Sequence, residues 1–142
     1  MTTKSKFLVV LALIASACGI TMLIIGPPNT LDVRLFYSNE DAYLWLNSLT
    51  INQRSNYLIT EYLDIGYTIS YSMIFFFILG PIGLIPGILD LIETVPIILH
   101  LKNGSALPEH LGFVSGIKWI TGVIVFVTVL WKSKNFLRKN TK

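Results

Sequence analysis

The sequence predicts an all-α, polytopic membrane protein in which four transmembrane helices form an antiparallel bundle, with a short helical extracytoplasmic cap between the first two spans. Only 13% of the 142 residues are charged and the mean hydropathy is +0.65, whereas soluble domains carry about 25% charged residues. The apolar residues also come in long runs, which approach the ~20 residues that cross a bilayer. Basic residues gather near the two chain ends, as they do on the cytoplasmic side of membrane proteins.

The first span covers residues 7–25, a run of apolar and small side chains preceded by Lys4 and Lys6. The Gly-Pro-Pro sequence at residues 26–28 ends it, because proline cannot continue a helix. A cleaved signal peptide is the alternative, since the Ala-Ser-Ala-Cys sequence that ends at Cys18 loosely resembles a lipoprotein cleavage site. The apolar run continues well past that cysteine and is longer than the apolar core of a typical signal peptide, which has about 7–15 residues. We therefore expect the span to be retained.

Residues 29–62 are more polar and predict an outer loop of two short helices lying on the membrane surface. Ser38, followed by two acidic residues, has the pattern of a helix N-cap with acids in the first turn. Thr50 and Gln53 fit a capping box, which predicts the start of the second short helix.

Three further apolar runs complete a single membrane domain of residues 1–142. Residues 63–79 form the second span, and the turn sequence GPIGLIPG that follows sends the chain back as the third span, residues 84–101. A loop with glycine and proline leads into the fourth span, residues 112–131, and the chain ends in a basic tail, residues 132–142. The fourth span carries Gly112-x-x-x-Gly116, a pattern that indicates close packing.

The distribution of basic residues predicts the orientation. Four spans place both termini on one side, which collects Lys4, Lys6, Lys132, Lys134, Arg138, Lys139 and Lys142. The loops on the other side hold only Arg34, Arg54 and Lys102. The positive-inside rule then makes both termini cytoplasmic, in a multi-pass protein of the inner (plasma) membrane.

The basic tail is explained by this topology and by attraction to anionic membrane lipids. No basic fold accompanies it, so we expect no nucleic-acid partner. The sequence leaves open whether the protein forms a homo-oligomer. It contains no glycine-rich phosphate loop, no zinc-type Cys/His spacing and no nucleophile elbow, and we predict neither a metal nor a cofactor.

Polar residues follow one face of the helix that contains the second span. They recur at steps of three and four, which is the spacing of a single helical stripe. The stripe consists of Arg54, Tyr57, Glu61, Asp64, Thr68 and Tyr71.

A second polar face lies in the third span, where Asp90, Glu93 and His100 align. Two ionised acids three residues apart would repel, so a proton or a cation is expected at this pair. Lys118, the one cation within a predicted span, is the natural partner of Glu93.

A charge at the bilayer centre costs on the order of 2.5–3.5 kcal/mol, so these groups are expected to face the bundle interior. We predict a polar cluster whose floor is Asp90 and Glu93. Its other members are Asp64, Tyr71, His100 and Lys118. The acids could instead serve only to tie the helices together or to cap one of them.

Several sequence segments resemble a loose set of small four-span bacterial membrane proteins. They are YSNEDAY (37–43), RSNYL (54–58), LDIGYTISY (63–71), LDLIET (89–94) and the late Lys118. The resemblance spans the whole chain, and it implies the four-span topology and the same choice of polar residues. No activity is assigned to that set. Its members often have an asparagine after the glutamate, where this chain has Thr94. A fainter likeness is to four-span sterol-binding and sterol-isomerase membrane proteins, which also use intramembrane acids.

Three functions fit these patterns. The favoured one is an intramembrane binding site, or a transporter-like unit, for a small molecule, a lipid or a cation, with Asp64, Tyr71, Asp90, Glu93 and Lys118 as its lining. The first alternative is a membrane enzyme that acts on a lipid or isoprenoid by acid/base chemistry, although no nucleophile is evident. The second is an assembly protein whose polar cluster only fixes helix packing.

Overall fold

The computed structural model describes residues 3–140, with side chains except at residue 32 and residues 133–140. These residues form helices and connecting loops, and no strand occurs among them. The elements are α1 (Thr3–Ile25), a 3-10 turn (Leu31–Val33), α2 (Asn39–Ser48), α3 (Ile51–Leu79), a second 3-10 turn (Gly80–Leu84), α4 (Ile85–Asn103) and α5 (Leu111–Asn140). The predicted all-α class is confirmed.

Three helical stretches are long and apolar enough to cross a membrane, namely Thr3–Ile25, Ile51–Asn103 and Leu111–Lys132. The second stretch has 53 residues and folds back on itself at the turn Gly80–Leu84. As a result α3 and α4 form an antiparallel hairpin, and the bundle has the four helices that the sequence predicted.

Glycines make the hairpin turn and its close helix contact possible. Gly80 has φ +74°, a left-handed conformation that glycine adopts without a steric penalty. A β-carbon at Gly83 would lie 2.4 Å from the carbonyl carbon of Phe75. A β-carbon at Gly87 would lie 1.8 Å from the hydroxyl oxygen of Ser72. The 3-10 turn at Gly83 and the first turn of α4 at Gly87 can therefore approach α3 only because these residues lack side chains.

Helix α1 packs on α3 and runs antiparallel to it. The Phe7 and Phe77 rings meet edge to face with centroids 5.7 Å apart, and Gly19 lies against the Tyr67 ring near the opposite end of α1. Leu11 is the buried residue of this helix. Helix α1 makes its main contacts with α3, and its other side chains are exposed or partly exposed, so most of its surface is available to lipid.

Helix α5 packs on α4, so the helices follow one another in the order α1, α3, α4, α5. The Lys132 ammonium donates a hydrogen bond to the Ile78 carbonyl (3.3 Å), and the Lys4 ammonium lies 5.6 Å from the centroid of the Phe77 ring. Both contacts are at the end of the bundle that carries the α3–α4 turn, which we call the terminal end. The opposite end carries α2 and is called the cap end.

The basic tail predicted for residues 132–142 belongs largely to α5, which continues to Asn140. The side chains of Lys134, Arg138, Lys139 and Lys142 lie outside the described residues.

Both predicted helix starts in the outer loop are confirmed. The Asp41 N–H donates to the Ser38 hydroxyl (3.0 Å) and the Ser38 N–H donates to the Asp41 carboxylate (3.1 Å). The Ser38 hydroxyl also donates to the Asp41 carboxylate (2.7 Å). The hydrogen bonds from the hydroxyl and the N–H of Ser38 lower the pKa of Asp41, because they favour the ionised carboxylate. Thr50 and Gln53 form the same reciprocal pair at the start of α3.

The expectation of a separate second short helix is wrong. The helix that starts after Thr50 continues without a break through residue 62 to Leu79 and has 29 residues. No proline interrupts this segment, and its only glycine is Gly66, so nothing in the local chemistry ends the helix at the predicted boundary. The cap thus consists of α2, the loops beside it and the first turns of α3.

A buried apolar cluster holds the cap on the bundle. Its members are Leu31, Tyr37, Ala42, Leu46, Tyr57, Ile97, Leu101, Leu107 and Leu111. Arg54 stabilises the same region from α3, since its guanidinium donates to the carbonyls of His100 (3.1 Å) and Leu101 (3.3 Å) at the C-terminal end of α4.

The G-x-x-x-G pattern of α5 packs against an extended segment of the cap, residues 34–37, and not against another helix. A β-carbon at Gly112 would lie 1.6 Å from the Tyr37 carbonyl oxygen, whereas one at Gly116 would lie 3.7 Å from the Leu35 carbonyl oxygen. The Ser115 hydroxyl donates to the Arg34 carbonyl (3.1 Å). Close packing is confirmed at Gly112, and its effect is to hold Tyr37 beside α5.

We predict that Gly112→Ala destabilises the protein by about 1–3 kcal/mol, the usual cost of overpacking. The Tyr37 carbonyl is backbone and cannot swing aside, so segment 34–37 must shift. Thermal unfolding in lipid nanodiscs measures the effect. Gly116→Ala is the matched control, because its added methyl group makes an ordinary contact, and it should stay within about 0.5 kcal/mol of the wild type. Equal unfolding temperatures for the two variants would contradict this account.

Candidate functional site

Lys118 joins two acids of α4 in a buried ion-paired cluster, which we define as Asp90, Glu93 and Lys118. The Lys118 ammonium lies 2.9 Å from Asp90 Oδ1 and also contacts Glu93 Oε2. The Glu93 side chain is completely buried, and about a tenth of the other two side chains is exposed. The contact expected between Lys118 and Glu93 is therefore present, and Asp90 shares the same cation.

The second oxygen of Asp90 binds α3. Asp90 Oδ2 accepts hydrogen bonds from the Thr68 hydroxyl (2.5 Å) and the Tyr71 hydroxyl (3.0 Å). Thr68 and Tyr71 lie one turn apart on the polar stripe predicted from the sequence. Asp90 thus links α3, α4 and α5 through a single carboxylate.

The second oxygen of Glu93 binds the cap. Glu93 Oε1 accepts a hydrogen bond from the Tyr37 hydroxyl (2.7 Å), and the Tyr37 side chain is almost fully buried. Tyr37 is not among the site residues that the sequence predicts, because a loop residue has no helical periodicity that would reveal its direction. Its one signal was its place in the YSNEDAY segment.

Asp64 lies beside this cluster on α3 and is also buried. Its Oδ2 accepts a hydrogen bond from the Thr94 hydroxyl (2.9 Å). Thr94 was likewise absent from the predicted site, although its position four residues after Asp90 places it on the same buried face of α4.

The remaining predicted residues lie toward the cap end. Glu61 is fully buried one turn above Asp64, and Tyr57 is fully buried with its ring edge to face against Trp45. His100 was expected in the polar cluster. It lies two turns beyond Glu93, where its Nδ1 is 2.8 Å from the Ser105 carbonyl oxygen and its ring packs against Tyr43.

The charges of the site do not balance when all its groups are ionised. Asp64, Asp90 and Glu93 carry three negative charges and Lys118 carries one positive charge. An excess of buried negative charge is unfavourable in a low-dielectric environment, and it favours either protonation of an acid or the presence of another cation.

A cleft of about 510 Å³ opens next to these residues. Helices α3 and α4 form its floor and α5 forms one wall, while Met22 of α1 and Val33 of the first 3-10 turn border the other side. Its lining residues are Met22, Val33, Asp64, Tyr67, Tyr71, Phe75, Pro86, Asp90, Lys118, Trp119, Gly122, Val123 and Phe126. The volume lies within the ~300–1,000 Å³ typical of small-molecule sites. The cleft lining is mostly apolar, and its charged members are Asp64, Asp90 and Lys118.

Among the described residues, no group of three or more His, Cys, Asp or Glu side chains is arranged to hold a metal ion.

We predict that Lys118→Met strongly destabilises the protein. Removing one partner of a buried ion pair costs about 3–5 kcal/mol, because the remaining charge stays buried without compensation. Here Asp90 and Glu93 would both lose their cation. The free energy of unfolding in nanodiscs measures the loss.

Two further variants test whether the loss of stability in Lys118→Met comes from the unpaired buried charges. Lys132→Met removes an exposed ammonium at the terminal end and should cost at most about 1 kcal/mol. Adding Glu93→Gln to Lys118→Met should restore part of the stability, since a neutral amide can still accept from Tyr37. A Lys118→Met protein as stable as the wild type would show that the pair contributes nothing to folding.

Comparison of the chain with protein-family models, curated proteins and solved structures found no match in any of the three. The resemblance to small four-span bacterial membrane proteins therefore stays a hypothesis.

Proposed function

We propose that this protein binds a small amphipathic molecule inside the bilayer, in the cleft between α1 and α5. The observation that carries the proposal is the combination of one continuous apolar cleft with charged groups on its floor. A molecule with a polar head and an apolar body would satisfy both parts at once.

The position of the cleft supports entry from the membrane. Helix α1 packs on α3 and helix α5 packs on α4, so the gap between α1 and α5 would face hydrocarbon in a bilayer. Val123 and Phe126 on the α5 wall are more than half exposed, as expected of side chains that contact lipid or a bound apolar chain.

The position of the polar groups at the edge of the cleft supports a binding role over a purely structural one. Buried charges are costly in a membrane, and a cluster that served only packing would gain by being sealed. Asp64, Asp90 and Lys118 instead border the cleft, whereas Glu93 lies behind them and is closed off. Binding is thus favoured over the assembly role.

We predict that filling the cleft abolishes binding. A β-carbon at Gly122 would meet no atom within 4 Å, so Gly122→Phe should place its ring in the cleft without disturbing the ion-paired cluster. Native mass spectrometry of protein extracted in mild detergent would detect a retained small molecule. The variant should reduce the bound fraction at least about tenfold, a loss of about 1.4 kcal/mol.

Ile120→Phe is the matched control, because Ile120 is exposed on α5 and does not line the cleft. It should retain the molecule as the wild type does. Equal retention by Gly122→Phe, or no retained molecule in the wild type, would count against the proposal.

We also propose that the cap end faces away from the cytoplasm in an inner (plasma) membrane. Lys4, Lys6 and Lys132 are at the terminal end, and the basic tail follows there. The cap end carries only three lysine or arginine residues, Arg34, Arg54 and Lys102, among the described residues. This distribution supports cytoplasmic termini.

Cysteine labelling in intact cells tests the orientation. In a Cys18→Ala background, Glu109→Cys should react with a membrane-impermeant maleimide, since residue 109 is exposed in the loop at the cap end. Lys6→Cys should react only after lysis. The reverse pattern would invert the proposed topology.

A further inference from the structure

The charge around the cleft indicates the sign of its occupant. Two acids, Asp64 and Asp90, border the cleft together with one cation, Lys118. Lys118 is already shared between Asp90 and Glu93, so its charge is more than neutralised. An anionic head group would find a compensated cation and an acid that repels it, whereas a cationic head group would reduce the negative excess.

The hydrogen bonds of the site also favour a cationic occupant. Asp90 Oδ2 accepts from Thr68 and Tyr71, and Asp64 Oδ2 accepts from Thr94. These hydroxyl protons are committed to carboxylates, so they are not directed toward a ligand that needs donors. A carboxylate oxygen can accept more than one hydrogen bond, which leaves the acids able to accept from an ammonium group.

Aromatic rings supply an independent indication. Five aromatic side chains line the cleft, namely Tyr67, Tyr71, Phe75, Trp119 and Phe126. Three of them form a continuous row on α3, with centroids 5.3 Å apart for Tyr67 and Tyr71 and 5.6 Å apart for Tyr71 and Phe75. Ring faces attract cations, and an aromatic wall beside a carboxylate is a known means of holding an ammonium ion.

We propose that the occupant is a lipophilic amine with a single hydrocarbon chain. This inference rests on the proposed function and names the ligand class of the same cleft. Its ammonium group lies beside Asp64 and Asp90, and its chain follows the apolar wall past Val123 and Phe126. A zwitterionic phospholipid fits less well, because its phosphate would have to enter a negatively charged floor.

Trp119 borders the cleft and offers a direct reporter. In a protein carrying Trp45→Phe and Trp131→Phe, it is the one remaining tryptophan. The protein is placed in nanodiscs and titrated with a bromine-labelled long-chain alkylamine, and with the alcohol and the fatty acid of the same chain. Quenching by the amine should reach its midpoint at a mole fraction at least about fivefold lower than quenching by the alcohol or the acid.

Asp64→Asn tests the origin of that preference. The amide keeps an oxygen for Thr94 but removes the charge. The ratio of the alcohol midpoint to the amine midpoint should therefore fall to about a third of its wild-type value or less. Glu109→Gln, which removes an exposed acid outside the cleft, should leave the advantage intact. A preference that survives Asp64→Asn unchanged would overturn the proposed ammonium position.

The outcomes also separate this inference from the proposed function. Suppose that the fatty acid or the alcohol quenches at a lower mole fraction than the amine, and that Gly122→Phe abolishes this quenching. The inference of an amine ligand would then be wrong, but the proposal of a binding cleft would stand. If all three probes quench equally and Gly122→Phe has no effect on the quenching, both the amine inference and the proposed binding function are wrong.

Discussion

The shared ion pair of Lys118 with Asp90 and Glu93 is the interaction on which the rest of the architecture depends. One ammonium is shared by two acids in surroundings where an isolated charge is very costly. Both acids use their other oxygens for hydroxyl donors, from α3 at Asp90 and from Tyr37 of the cap at Glu93. Three helices and the cap are therefore held in register by one cluster of three charged side chains.

Such a network requires the backbones to come close together, and small residues make this possible. Gly87 brings α4 onto Ser72 of α3, and Gly112 brings α5 onto the Tyr37 carbonyl. The second contact is at the level from which Tyr37 reaches Glu93. The steric role of one glycine and the hydrogen bond of one tyrosine are thus parts of the same arrangement.

The cleft follows from the order in which the helices pack. Because α1 packs on α3 and α5 packs on α4, the two outer helices form separate walls over the hairpin. The polar groups on its floor then border an open apolar space. Because the acids outnumber Lys118, the net charge beside that space is negative when all these groups are ionised. The proposed binding of a lipophilic amine combines these two properties, shape and charge.

The sequence by itself determined the features that arise within a few turns of helix. The capping boxes at Ser38 and Thr50, the reversal near Gly80 and the buried face carrying Asp90 and Glu93 all depend on neighbours within about four residues. Lys118 could be paired with Glu93 because no other cation lay within a span. Only the tertiary structure decided that Tyr37 reaches Glu93 across 56 residues of chain and that a cleft opens beside the acids. These features depend on how whole helices pack, and a pattern with a period of 3.6 residues carries no information about that.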